Sequence, residues 1–132
     1  QWTNPATPGG AAGGTPAAGR WLILPGSTPM WWMALTTDAG APSAGDTTLA
    51  TELAVNGFAR KLATYAHTLG TSTFTLSATY TSTQGSGSTT IAKAGEFNAA
   101  AGGTLCYEQL LPATAVLQLS DTLTPTLTMT LS

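Results

Sequence analysis

Asp121-Thr-Leu-Thr-Pro-Thr-Leu-Thr-Met-Thr-Leu-Ser132 closes the chain, and from Thr122 onward Thr or Ser takes every even position while Leu, Pro or Met takes every odd one. A side-chain period of two puts apolar groups on one face and hydroxyls on the other, the pattern of a half-buried β-strand. Thr71 to Thr81 repeats the device, with Phe74, Leu76, Ala78 and Tyr80 on one side and Thr73, Thr75, Ser77 and Thr79 on the other. Thr and the aromatic residues suit a pleated, half-buried surface.

Working outward from these two stretches, further strands are expected at Trp21–Leu24, Met30–Leu35, Phe58–Thr68, Ile91–Asn98, Thr104–Leu110 and Ala115–Leu119. Turn signals separate them: Pro25-Gly26, Leu69-Gly70, the Gly/Ser run 84–88 and Ala99–Gly103. Asn56-Gly57 is the strongest, because both residue types tolerate positive φ. Residues 37–46 read as loop, and 47–55 as a short helix or an extended segment. Seven or eight short strands with this punctuation predict an all-β chain: a single β-sandwich or jelly-roll-like domain over 21–132, preceded by an extended arm over 1–20.

The chain has 132 residues, enough for one domain with a core and too few for two. Charged residues make up 8% of it, against about 25% in an ordinary soluble domain. Mixed charge is what keeps proteins apart in solution, so most faces of this chain are expected to touch something. A net charge of −2 offers no basic patch for phosphate, which excludes nucleic acid as an expected partner. The longest apolar run, Met30–Leu35, is far short of the roughly 20 residues that span a bilayer, so no membrane association is expected. The chain begins at Gln1 rather than Met, as expected of a processed chain or a piece of a longer one.

No catalytic constellation is recognisable. His67 is the only histidine and Cys106 the only cysteine, so neither a metal cage nor a histidine-activated nucleophile can be assembled on a known spacing, and no cofactor is implied. Cys106, in Leu105-Cys106-Tyr107, is expected to be a small buried hydrophobe. Glu52 and Arg60 flank the Asn56-Gly57 turn and are expected to form a structural ion pair. Trp31 and Trp32 are adjacent, so in a strand they face opposite ways, and one of them must join a second core or enter an interface. The arm has no apolar period and cannot bury enough surface to fold on itself. It is expected to lie along a neighbouring subunit, with Trp2, Pro5, Pro8 and Pro16 as contact residues.

Four motifs in series carry a resemblance: Gly40-Ala-Pro-Ser-Ala-Gly-Asp-Thr-Thr-Leu-Ala-Thr-Glu52, Asn56-Gly-Phe-Ala-Arg60, Ile91-Ala-Lys-Ala-Gly-Glu-Phe-Asn-Ala-Ala-Ala-Gly-Gly-Thr104, and Leu119-Ser-Asp-Thr-Leu123 before the Thr-alternating end. Together, over residues 40–132, they resemble small virion structural proteins of tailed bacteriophages, variously decoration, head-fibre or tail proteins. Lys93 and Glu96 depart from that pattern, standing where an acidic and an aliphatic residue are usual. The resemblance implies a part of the virion more than it implies which part. The leading expectation is a non-enzymatic protein of the capsid surface, a decoration or cement protein that stabilises the head lattice through its arm and sheet edges. The expected partners are sister copies, a trimer above other homo-oligomers, and the major capsid protein or other virion proteins. A tail, baseplate or head-fibre component is the alternative within the virion. Outside it stand a self-assembling extracellular β-filament subunit and, from the aromatic pair, a carbohydrate-binding module.

Overall fold

The computed structural model describes residues 31–130; the arm, its Trp2, Pro5, Pro8 and Pro16, and the strand expected at Trp21–Leu24 lie outside the described residues. Within them the chain is all-β, with no helix. The strands are β1 (Trp32–Thr36), β2 (Lys61–Leu62), β3 (Thr64–His67), β4 (Thr73–Ser77), β5 (Tyr80–Thr81), β6 (Thr89–Phe97), β7 (Leu105–Leu117), β8 (Thr122–Leu123) and β9 (Thr126–Thr130). They form antiparallel sheets in the orders β2-β1-β6-β7, β3-β4-β9 and β5-β8.

The two smaller sheets act as one layer. Ser77 pairs with Thr126 and, in the same register, Tyr80 pairs with Leu123. The ladder lapses only around Pro125, which has no N–H to donate. Across this gap Thr79 and Thr124 share a hydroxyl hydrogen bond of 2.8 Å. The alternation read from the sequence places Phe74, Leu76, Ala78, Tyr80 and Leu127 in the core, against Met33, Leu35, Ile91 and Ala94 of the four-stranded sheet. The Tyr80 hydroxyl crosses between the layers and donates to the Met33 carbonyl at 2.6 Å. The result is a β-sandwich-like fold.

The four-stranded sheet is covered on its other face as well. Trp32, Ala34 and Phe97 point away from the sandwich core and, with Leu105, pack under Leu49 of the long β1–β2 connection. That connection contains no helix, and its only pairing of strand type is the bridge between Glu52 and Thr36. β6 therefore has a core on each side, and Ile91 to Phe97 are all buried. A Cβ at Gly95 would lie 2.8 Å from Leu105 Cδ1 and 3.2 Å from Leu49 Cδ1, so a side chain there would have to displace the methyl groups that pack over the strand.

Two stretches differ from the sequence expectation. Phe58–Thr68 is not one strand: Lys61 and Leu62 pair with β1, Thr64 to His67 pair with β4, and Ala63 turns the chain from one layer to the other, its N–H bonded to Trp31 O at 2.7 Å. Changing sheets shifts the phase, so Leu62 is 57% exposed while Ala63 is buried. Thr104–Leu110 and Ala115–Leu119 are not two strands: β7 runs through Pro112, because it is an edge strand that bulges there, with Ile91 facing Ala115 and Lys93 facing Leu110. A second irregularity, between Glu96 and Phe97, leaves Cys106 as the extra residue. Cys106 is consequently exposed rather than buried.

The Asn56-Gly57 turn closes with Phe58 N bonded to Val55 O at 3.1 Å, with φ of 57° and 86°. A Cβ on Gly57 would stand 2.0 Å from Thr81 O, whereas Gly70, at φ 87°, faces open space. Gly70→Ala should therefore cost about 1–2 kcal/mol for its backbone conformation. Gly57→Ala adds a collision with a fixed carbonyl and should cost roughly 3 kcal/mol or more. Urea unfolding of the two variants measures the difference.

Candidate contact surface

Nine of the chain's ten Lys, Arg, Asp and Glu residues fall within the described residues, and the fold uses nearly all of them to hold its own loops. Arg60 is the most heavily engaged. Its Nε and Nη2 donate to the two carboxylate oxygens of Glu52 at 2.5 and 2.7 Å, and its Nη1 donates to the carbonyls of Ala99 at 3.0 Å and Gly102 at 2.6 Å. The guanidinium lies 3.5 Å above the Phe97 ring. The structure thus brings Glu52 and Arg60 together, and adds the β6–β7 turn and an aromatic face to the pair. Planar bidentate geometry and stacking are what arginine offers and lysine does not.

Lys93 does the same at the other end of the connection. It is 3% exposed and reaches Asp38 at 3.1 Å and Glu108 at 3.2 Å. Burial alone would lower its pKa, but the hydrogen bonds and charges of the two carboxylates outweigh burial and hold it above the ordinary value. Asp38 is held below the usual carboxylate range, first by Lys93 and then by the Gly40 N–H. Ser43 N ties the loop again to Glu108 at 3.3 Å and to Asp46 at 3.0 Å. Asp121 caps Gln118 N at 2.8 Å, and Lys61 reaches Thr79 O at 2.8 Å. Glu96 is the exception: it is wholly buried in the sandwich core with neither oxygen hydrogen-bonded among the described residues.

No charge is left for the outward face of the β3-β4-β9 layer. Its positions alternate away from the core in register: Thr73 opposite Thr130, Thr75 opposite Thr128, Ser77 opposite Thr126, with Thr64 opposite Ser77 and Ala66 opposite Thr75. Thr79 and Thr124 extend the rows past the Pro125 gap. The face is a neutral lattice of hydroxyls and methyls. The edges of the four-stranded sheet are less open: β2 has two residues, and β7 carries both a bulge and Pro112, features that discourage further strand pairing. Among the described residues the edges of the three-stranded sheet are β3 and β9.

The remaining sequence candidates are placed as follows. Trp31 packs against the sandwich core, its indole N–H buried without a partner among the described residues, and Trp32 packs against the second core. Both are half-buried. His67 ends β3 and shares a hydrogen bond with Thr71 O at 3.0 Å. Cys106 lines a shallow cleft of about 290 Å³ with Pro42, Asp46 and Glu108, but desolvation pushes its thiol above the ordinary value and so disfavours the thiolate a nucleophile needs. Among the described residues no three His, Cys, Asp or Glu side chains are grouped to hold a metal ion. Comparison with protein-family models finds no match, and comparison with curated proteins finds none.

Arg60→Ala removes five contacts at once and leaves Glu52 and two carbonyls without their donor. It should destabilise the chain by about 3 kcal/mol. Arg60→Lys keeps the charge but loses the bidentate fork and the stacking, and should still cost about 1–2 kcal/mol. Equilibrium unfolding of both variants at one pH tests the ranking.

Proposed function

We propose that this chain is a non-enzymatic structural protein of a tailed-bacteriophage virion, most simply a capsid decoration or cement protein that works as a homo-oligomer, a trimer, bound to the major capsid protein. The observation that carries the reading is the allocation of charge. Eight of the nine described charged residues are bonded to other parts of the same chain, Glu96 is buried, and the outward face of the β3-β4-β9 layer carries none. Such a face has no ion to desolvate when another surface covers it, and little to repel a copy of itself. The four-motif resemblance over residues 40–132 supplies the setting.

Repetition explains how a surface with no strong anchor can be useful. Each contact of hydroxyls and methyls is weak, but copies held in an oligomer and on a lattice multiply weak contacts into large avidity. At the four-stranded sheet the blunted edges β2 and β7 favour the face over strand addition as the contact. The filament alternative would have to use β3 or β9, the edges of the smaller sheet. A tail or head-fibre position uses the same face in a ring instead of a shell.

Antibody against this chain, applied to virions of the phage encoding it, should label heads. Label confined to tails moves the protein to the alternative, and absence of the chain from virions overturns the virion reading. In solution, sedimentation should show a concentration-dependent oligomer. Substituting Thr75 and Thr128, which face each other across β4 and β9, by Lys should leave far-UV circular dichroism unchanged and abolish the oligomer. An oligomer that survives this double substitution removes the face from the contact.

A further inference from the structure

Glu96 sits in the sandwich core with nothing among the described residues to compensate its charge. It pairs with Met33 of β1 on one side and Tyr107 of β7 on the other. Met33 and Tyr107 both belong to the apolar cluster between the layers. Glu96 is 0% exposed, and neither carboxyl oxygen has a hydrogen-bond partner among the described residues. The strand's other charge, Lys93, is three residues away. Residues an odd number apart in a strand point to opposite faces, and Lys93 is committed to Asp38 and Glu108.

Among the described residues, the titratable groups packed around Glu96 make no ion pair or hydrogen bond with it. From β5 comes Tyr80, whose hydroxyl proton is already given to Met33 O. β7 brings Tyr107, whose hydroxyl is directed to Gln109 Oε1 at 3.4 Å and Thr128 O at 3.5 Å, and Cys106, whose thiol donates to Thr104 O at 3.3 Å. Tyr65 of β3 packs at the edge of the same core, and His67 beyond it is engaged with Thr71 O. Lys61 of β2 lies in the same cross-strand row, opposite Met33, but it is exposed and its Nζ is bonded to Thr79 O, 5.2 Å from the centroid of the Tyr80 ring.

We propose that Glu96 is an alkaline trigger built into the core: it is carried as the neutral carboxylic acid while the sandwich is closed, and its ionisation loosens the packing of the four-stranded sheet against the layer that holds Tyr80. A neutral carboxyl costs the core only unmade hydrogen bonds, while an unpaired carboxylate there lacks any solvation. Desolvation accordingly raises the Glu96 pKa from 4.5 to about 8. Tyr80 reports the same environment: burial first, and then the charge of Glu96, hold its phenol well above the ordinary range.

Linkage gives the direction. A carboxyl whose folded-state pKa is raised keeps its proton in the folded chain over a pH range in which the unfolded chain has already lost it, so stability is greatest below pH 4.5 and falls until the folded-state pKa is passed. Within this window the unfolding equilibrium constant should rise about tenfold per pH unit on account of Glu96. The effect is opposite in sign to that of Asp38, whose lowered pKa favours the folded chain as pH rises through the acid range.

The test is urea unfolding of the full chain from about pH 5 to about pH 9, in the native protein and in Glu96→Gln and Glu96→Leu, with the Glu96 carboxyl followed in the native protein by carbon-13 NMR. The expected result is a Glu96 titration near pH 8, a native unfolding midpoint that falls across the window, and variants whose midpoints lack this fall. Glu96→Leu should be the more stable variant at the alkaline end, because it leaves no polar atom in the core. A Glu96 resonance that titrates in the ordinary carboxylate range overturns the proposal, as do parallel pH profiles for native and variant chains. Should Glu96→Gln fail to fold, the NMR titration and Glu96→Leu decide it.

Discussion

One strand buried on both faces sets the terms for the rest of the structure. β6 is covered by the tyrosine-bearing layer on one side and by the β1–β2 connection on the other, so the four-stranded sheet must fill two cores. The first cover is another β layer, held by ladder hydrogen bonds. The second has almost no ladder, and its backbone meets the sheets at isolated points: the Thr36–Glu52 bridge, Leu53 N to Leu35 O at 2.9 Å and Thr83 N to Asn56 O at 3.0 Å. It is fastened at both ends by cations: Lys93 takes Asp38 near its start, and Arg60 locks Glu52 and the carbonyls of the β6–β7 turn near its end. Between them Thr36 Oγ1 bonds the carbonyls of Ala50 and Thr51, and Leu105 N bonds Thr47 O. The scarcity of charge and its internal use are thus one fact: the charges are the fastenings of a cover with no strands of its own.

How much of this can be read from the sequence depends on how each element meets water. β4 and β9 alternate cleanly because one face is solvated and the other is core, and their parity carries directly into the structure. β6 offers no such contrast. Ile91-Ala-Lys-Ala-Gly-Glu-Phe97 is readable as a strand, but its two charges suggest an exposed face, and only residues far along the chain show that both are buried. Nothing local marks Ala63 as the point where the chain changes layers, since that break is made by pairing with β1 and β4. Pro112 reads as a stop, yet an edge strand with a bulge accommodates it. The short separation of Glu52 and Arg60 is legible, whereas the Ala99 and Gly102 carbonyls lie 39 and 42 residues from Arg60 and carry no side-chain signal.

Lys93 and Glu96 show two answers to a charge on a buried strand. Lys93 keeps its charge because two carboxylates converge on it, so desolvation is repaid by hydrogen bonds and attraction. Glu96 has no such partners among the described residues, and desolvation raises its pKa in favour of the neutral acid. The fold accommodates the two charges on opposite faces of one strand. Lys93 faces the connection, whose loop can bring Asp38 to it. Glu96 faces the sandwich core, where the neighbouring side chains are fixed by sheet register and none is a cation.

The same allocation bears on what the surface can do. A sheet protein with few charges runs the risk of pairing indefinitely through its edges. Here β2 is cut to two residues, β7 is bulged around Pro112, and the β4–β9 ladder is interrupted at Pro125. Growth is impeded at the edges of the four-stranded sheet, while the neutral Thr and Ser positions of the β3-β4-β9 layer face outward. Contact through a face is finite, because covering it leaves no equivalent template beyond, whereas an edge regenerates itself with every strand added.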